Sequence, residues 1–130
     1  MASQFLTLEQ VIYIHENQID LYGGIHGIRD LGLLESAILR PQTTFGGVDL
    51  YVSIFDKAAA LIHSLLLNHA FVDGNKRTAV TSTLTFLELN GFSVVTANQK
   101  LEEFGLWVEN KKPSIEKIAT WLKRHSKKWI

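Results

Sequence analysis

The sequence predicts an all-α fold, a compact bundle of about six helices with one short β-hairpin. Apolar residues recur at three- and four-residue spacing through most of the 130-residue chain. Only two prolines occur, Pro41 and Pro113, so long helices are possible. Gly46 and Gly47 stand between two β-prone pairs, the pattern of a tight hairpin turn. At this length a single domain, residues 1–130, is expected, and it can bury a core without covalent staples.

Taken in order, the first helix begins after Thr7, where Gln10 three positions on completes a capping box. Leu8, Val11, Ile12, His15 and Ile19 form its inward stripe, and Gly23–Gly24 ends it. "GGIHGIRD" reads as a loop. The second helix starts at Asp30, a good N-cap, and stops before Pro41. The hairpin occupies Thr43 to Tyr51. A third helix starts at Ser53, with Asp56 as an acid in its first turn. Phe55, Ala58, Ala59, Ile62, Leu65 and Leu66 face inward, and it ends near Asn68. The fourth runs from about Asn75 to Asn90, with Gly91 as a left-handed cap. Its apolar residues cover most of its circumference, which makes it the expected central helix. "FSVVTA" is an extended link. Asn98 caps a fifth helix that reaches about Asn110, and Pro113–Ser114 opens a sixth.

Bulk properties exclude several classes. There is no cysteine, so disulfides and thiolate metal sites are ruled out, which fits a cytoplasmic location. The N-terminus lacks the pattern of a signal peptide, and no apolar run is long enough to span a bilayer. Thirteen Lys and Arg balance thirteen Asp and Glu. Neither direct nucleic-acid binding nor membrane association is expected from bulk charge, and any anion site must be local.

The chemistry concentrates in "NHAFVDGNKRT", Asn68 to Thr78. Gly74 allows backbone conformations closed to other residues. The first amides of the following helix have no intrahelical partner and, with the positive end of the dipole, make an anion site. Lys76 and Arg77 lie in that first turn, where each opposes the dipole by about 0.3–1 kcal/mol. Their presence makes sense if a polyanion such as a nucleotide phosphate binds there. Asp73 beside bound phosphates suits Mg2+. His69 suits a proton acceptor. Phe71 is placed to anchor the loop in the core. A plain helix junction is the other reading of these residues. In it Asn75 is the N-cap, Asp73 compensates the two cations and His69 is merely satisfied.

"HAFVDGNKR" resembles the Fic/Doc family signature, His-x-Phe-x-(Asp/Glu)-(Gly/Ala)-Asn-(Gly/Lys)-x-Arg. The likeness extends through "LTLEQVIYIHENQIDLYGGIHGIRDLGLLESAILRP" and "FDKAAALIHSLLLNHAFVDGNKRTAV", and is greatest to the death-on-curing (Doc) toxins. The resemblance implies a Fic-like bundle and a type II toxin–antitoxin role. It implies ATP and Mg2+ as cofactors, with the γ-phosphate passing to a Ser or Thr hydroxyl. Elongation factor Tu is the implied target, with translation arrested, and a Phd-like antitoxin the implied partner. By the same resemblance His69 is the general base and Asp73 the metal ligand. Gly74, Asn75, Lys76 and Arg77 bind the nucleotide, Lys76 and Arg77 also acting in catalysis, and Phe71 locks the loop. Phe45, Gly46, Gly47 and Val48 form a flap that docks the target. Lys76 stands where AMP-transferring members carry glycine, and Val80 where they carry a second arginine. Phosphorylation is therefore the leading expectation, AMP transfer the second, and an inert binding protein of the same fold the third.

No built-in inhibitory string Ser/Thr-x-x-x-Glu-(Gly/Asn) occurs. Glu88 comes closest, but Leu84 stands where the hydroxyl belongs, so inhibition is expected from another chain. His15, His26, His63 and His125 show no metal-ligand spacing and read as packing or surface residues, with His63 a candidate support for the polar loop. "KRHSKKW" reads as a solvated helix end.

Overall fold

The computed structural model describes residues 2–129. Six helices follow one another: α1 Leu8–Tyr22, α2 Leu31–Leu39, α3 Ile54–Asn68, α4 Asn75–Leu89, α5 Asn98–Lys111 and α6 Ile115–Arg124. Two antiparallel pairs of short strands accompany them, β1 Thr44–Phe45 with β2 Val48–Asp49, and β3 Phe92–Val94 with β4 Ser126–Lys128. The predominantly helical architecture is the one the sequence predicts. Among the described residues no helix is long and apolar enough to cross a membrane.

Local chemistry explains most boundaries. Thr7 accepts from the Gln10 amide at 3.1 Å while the Gln10 side chain takes the Thr7 amide at 2.8 Å, closing the box that starts α1. Asp30 accepts from the Leu33 amide to start α2. Ser53 and Asp56 form a second capping box at α3, and Ser114 caps α6. One cap differs from expectation. Asn98 is the first helical residue of α5, and Ala97 is its N-cap with no side-chain bond. The extended backbone of Ala97 meets the geometric need without a polar side chain.

α3 is the central helix, rather than α4. It packs against α2, α4, α5 and α6 and buries Phe55, Leu61, Ile62, Leu65 and Leu66 along with four neighbouring small residues. Each large side chain so buried is worth roughly 1.5–3 kcal/mol. Both ends of α3 are therefore held in place by the core. α4 buries its far half through Phe86 and Leu87, but Lys76, Arg77, Val80 and Thr81 border open concavities. One flank of its first turns is left to a site.

The second strand pair was not expected. "FSVVTA" does begin as extended chain, but Phe92, Ser93 and Val94 pair with Lys128, Lys127 and Ser126. The segment read as a solvated helix end thus continues past α6 into a strand. Trp129 fastens it, donating its backbone amide to Gly91 O and its indole N–H to Glu88 O.

Candidate active site

The loop between α3 and α4 is built outward from a left-handed turn. His69, the C-cap of α3, has φ 47° and ψ 50°, and its side chain is exposed. Arg29 braces that conformation from the opposite loop. Its Nε donates to His69 O at 2.7 Å and its NH2 group to Asn68 O at 3.0 Å. A cation on the last carbonyls of a helix also suits the dipole. The amides of Arg29 and Asp30 both donate to Ala70 O, and Val72 N donates to Gly27 O. Ile28 bridges Phe71 in antiparallel fashion. "GGIHGIRD" is therefore a cradle for the polar loop.

Below the loop lies α1. Phe71 is buried and stacks on His15, ring centroids 3.8 Å apart and planes within 7°. The His15 Nε2–H donates to Asp73 O at 2.7 Å. Burial pushes the His15 imidazole below its usual pKa, against the opposing effect of that hydrogen bond. Asn75 spans the turn, accepting from Phe71 N at 3.0 Å and donating to Phe71 O at 2.9 Å.

The Asp73 carboxylate takes the Gly74 amide on one oxygen, at 2.8 Å, and the Ile25 amide on the other, at 3.1 Å. Those two N–H groups, aided by the charge of Arg77, hold its carboxyl below the ordinary carboxylate range. A Cβ on Gly24 would lie 2.8 Å from Asp73 Oδ2, so the cradle must be glycine there. Gly74 has φ +71° and its Cβ would meet Ile19 Cδ1 at 2.9 Å. A side chain at Gly74 would both strain the backbone and collide with α1.

α4 starts from Gly74 with no side-chain cap. Among the described residues no protein acceptor takes the amides of Asn75, Lys76 or Arg77, while Thr78 N returns to Gly74 O. Arg77 donates through one guanidinium nitrogen to Gly23 O at 2.8 Å and lies 5.5 Å above the Tyr22 ring. The plain-junction reading holds only in part: the charge of Arg77 does act on Asp73, but its cap is misplaced. Asn75 is not the cap, and Asp73 makes no ion pair with Lys76 or Arg77 among the described residues.

His69, Asp73, Asn75, Lys76 and Arg77 line one open concavity of about 530 Å3, bordered also by Glu102 and Glu109 of α5. A second, of about 390 Å3, shares Lys76, Arg77 and Glu102 and adds the apolar surfaces of Tyr22, Val80 and Leu101. Both volumes suit small-molecule sites, which span roughly 300–1,000 Å3. Among the described residues no three potential metal ligands cluster. A cation at Asp73 would take one carboxylate and draw its other oxygens from a ligand or solvent, the usual habit of Mg2+ at phosphates.

The Fic/DOC family matches residues 5–87. The chain belongs to the Fic/DOC family. A protein named Toxin Doc from Mycolicibacterium smegmatis (strain ATCC 700084 / mc(2)155) is 57% identical over 70 residues, 54% of this chain and 54% of that protein. The shared stretch thus spans about half of that relative. Protein kinase doc of Escherichia phage P1 is 31% identical over 119 residues, 92% of this chain and 93% of that protein. The family match contains every residue of the loop, its cradle and the hairpin.

The structure brings His69, Asp73, Gly74, Asn75, Lys76 and Arg77 to one concavity and puts Phe71 in the core beneath it. Phe45, Gly46, Gly47 and Val48 do not line it. They form the exposed turn of β1–β2, with Gly46 and Gly47 at φ 58° and 81°. His63 does not support the loop either. Its Nδ1 accepts from Arg40 at 2.7 Å, beside the base of the hairpin. Glu88 sits at the opposite end of α4 and accepts from Ser93. Sequence reasoning missed Arg29, Gly24, Ile25 and His15 as supports, and Glu102 and Glu109 as wall. Only His15 left a trace, a lone histidine in an otherwise apolar helix stripe.

Proposed function

We propose that this protein is a toxin-type phosphotransferase that moves the γ-phosphate of ATP to a Ser or Thr hydroxyl of another protein. The observation that supports it most is the uncapped start of α4, with Lys76 and Arg77, next to an exposed His69 held in a fixed backbone conformation. Three amides free among the described residues, two cations and a proton acceptor in one concavity are what phosphoryl transfer asks of a protein. The names of the two relatives, Toxin Doc and Protein kinase doc, point the same way.

In this reading the amides of Asn75, Lys76 and Arg77 and the two side-chain cations hold the phosphates. Asp73 holds Mg2+, which when bound offsets negative charge on those phosphates. His69 takes the proton from the target hydroxyl as its oxygen bonds to the γ-phosphorus. The bond from that phosphorus to the bridging oxygen breaks, and ADP leaves. Arg77 stabilises charge on the transferring group. The apolar second cleft, past Lys76 and Arg77, offers the nucleoside a surface against Tyr22, Val80 and Leu101.

The β1–β2 hairpin serves as the docking flap for an extended target segment, which could add as a strand to its free edge. Elongation factor Tu is the proposed target and translation the blocked process. A Phd-like antitoxin is the proposed partner, the location cytoplasmic. Lys76 favours γ-phosphate over AMP transfer, because its side chain, where AMP-transferring members carry glycine, changes how the nucleotide seats on those amides.

Incubation with elongation factor Tu and ATP labelled at either the α or the γ position tests this. Label from the γ position alone should reach the target. Label from the α position would replace the reading with AMP transfer. Growth arrest that persists equally in His69→Ala would mark a binding protein instead.

A further inference from the structure

His15 has no part in the chemistry just described, yet it is 2% exposed and polar. A leucine would fill a slot in an apolar helix face without the cost of desolvating an imidazole. The burial is explained by what the ring touches. One face stacks on Phe71 and Nε2 reaches Asp73 O, so a single side chain grips the loop on both sides of Val72.

The grip on Asp73 O has a consequence one bond away. That carbonyl and the Gly74 N–H belong to the same planar trans peptide and point in opposite directions. Holding the oxygen toward α1 turns the N–H the other way, where it donates to Asp73 Oδ1 at 2.8 Å. The carboxylate's orientation therefore depends on the peptide plane, and the plane is held by His15. Ile19, one turn further along α1, packs under Gly74 and Gly24 and leaves the peptide little room to shift. The following residue, Asn75, opens α4.

We infer that His15 is a positioning residue. By fixing the Asp73–Gly74 peptide it aims the Asp73 carboxylate and sets the first amides of α4. This rests on the reading of Asp73 as the cation ligand beside the phosphate site. Groups that orient a metal's ligands commonly alter affinity by about 10–100-fold when removed.

Two substitutions separate the ring's packing from its hydrogen bond. His15→Phe keeps the stack on Phe71 and loses the donor. His15→Gln loses the stack and offers an amide N–H at about the place of Nε2. ATP binding is titrated against Mg2+ by calorimetry, and backbone amide exchange is followed without nucleotide. In His15→Phe the Mg2+ concentration needed for half-maximal ATP binding should rise at least about tenfold. ATP binding without Mg2+ should weaken by a smaller factor, through the displaced amides of α4. Amide exchange at Gly74 and Thr78, whose N–H groups donate to Asp73 Oδ1 and Gly74 O, should quicken while the middle of α3 stays protected. His15→Gln should recover most of both effects.

Equal Mg2+ dependence in wild type and His15→Phe overturns the inference and leaves the site reading intact. So does a Gln variant as impaired as Phe, since restoring the donor would then restore nothing. If the wild type shows no Mg2+-dependent ATP binding, the site reading fails and the inference with it. Should His15→Phe not fold, His15→Leu against His15→Gln makes the same comparison.

Discussion

α3 is flanked by two irregular segments, and they are fastened in opposite ways. The loop after it, His69 to Gly74, is tied along its whole length. Arg29, the amides of residues 29 and 30, Gly27, Asn75, His15 and Ile25 each hold a different group of it. The hairpin before it is tied only at its base. Lys57, buried in α3, donates to Asp49, to Tyr51 O and to Val52 O, and Arg40 donates to the Tyr51 hydroxyl. Beyond that base Phe45 is 83% exposed and Val48 66%. Proton transfer requires a group held to a fraction of an ångström. Docking a partner strand requires exposed apolar surface and a free edge. Under the proposed function, one helix core would serve both demands by fixing one segment everywhere and the other only at its root.

The largest effect is expected at the tightly held end. His69→Ala should lower phosphotransfer by about 10²–10⁴-fold, the range for loss of a general base. Its melting temperature should barely move, because the side chain is exposed and makes no hydrogen bond to the described residues. Retained transfer would remove His69 from the mechanism. Next comes the brace. Arg29→Ala frees the carbonyls of Asn68 and His69, and kcat should fall by up to ~10²-fold with KM for ATP little changed. If kcat holds, the left-handed turn keeps its shape without Arg29, and the contrast between the two segments weakens.

Smaller effects belong to the hairpin, and they divide between tip and base. Phe45→Ser with Val48→Ser should raise KM for the protein target about tenfold, leave ATP affinity alone and change stability by less than about 0.5 kcal/mol. Lys57→Met should act through stability, costing about 1–3 kcal/mol as two carbonyls lose their donor. Chemical denaturation and target titration on both variants check the division. A tip variant with wild-type KM would remove the flap from target binding.

The comparison also explains what could be read from sequence. Helix starts were legible where a side chain makes the cap, as at Thr7, Asp30, Ser53 and Ser114, because the signal and its cause lie within four residues. The Gly46–Gly47 turn was legible for the same reason. The group at the start of α4 was legible because one short segment carries all of it. Arg29 and His15 were not, since the atoms they hold lie 40 and 58 positions away. The β3–β4 pair was missed likewise. "SKK" has little strand preference of its own and is extended because Phe92 to Val94 offers it partners. α4 was taken as central because an apolar circumference cannot tell contact with a core from contact with a cleft.

The smallest effect concerns acid and the hairpin's root. His63 is partly buried and accepts from Arg40, which also donates to Ser64 and to the Tyr51 hydroxyl. Burial first, then the neighbouring guanidinium, pushes its pKa below the usual value of about 6.5. The folded state therefore prefers the neutral ring more strongly than the unfolded chain does. Its contribution to stability is complete above about pH 6.5 and drains away as pH falls through the lower, folded-state value. A protonated His63 could no longer accept from Arg40, and the base of the hairpin would loosen. The melting temperature of the wild type should decline below about pH 6.5, and less steeply in His63→Gln, whose side chain can accept from Arg40 at any pH. Amide exchange on the acid side should quicken first at Leu50, whose N–H donates to Thr43 O at the hairpin's base, before the loop at His69. Identical acid slopes in the two proteins would show that this histidine does not govern the hairpin's root.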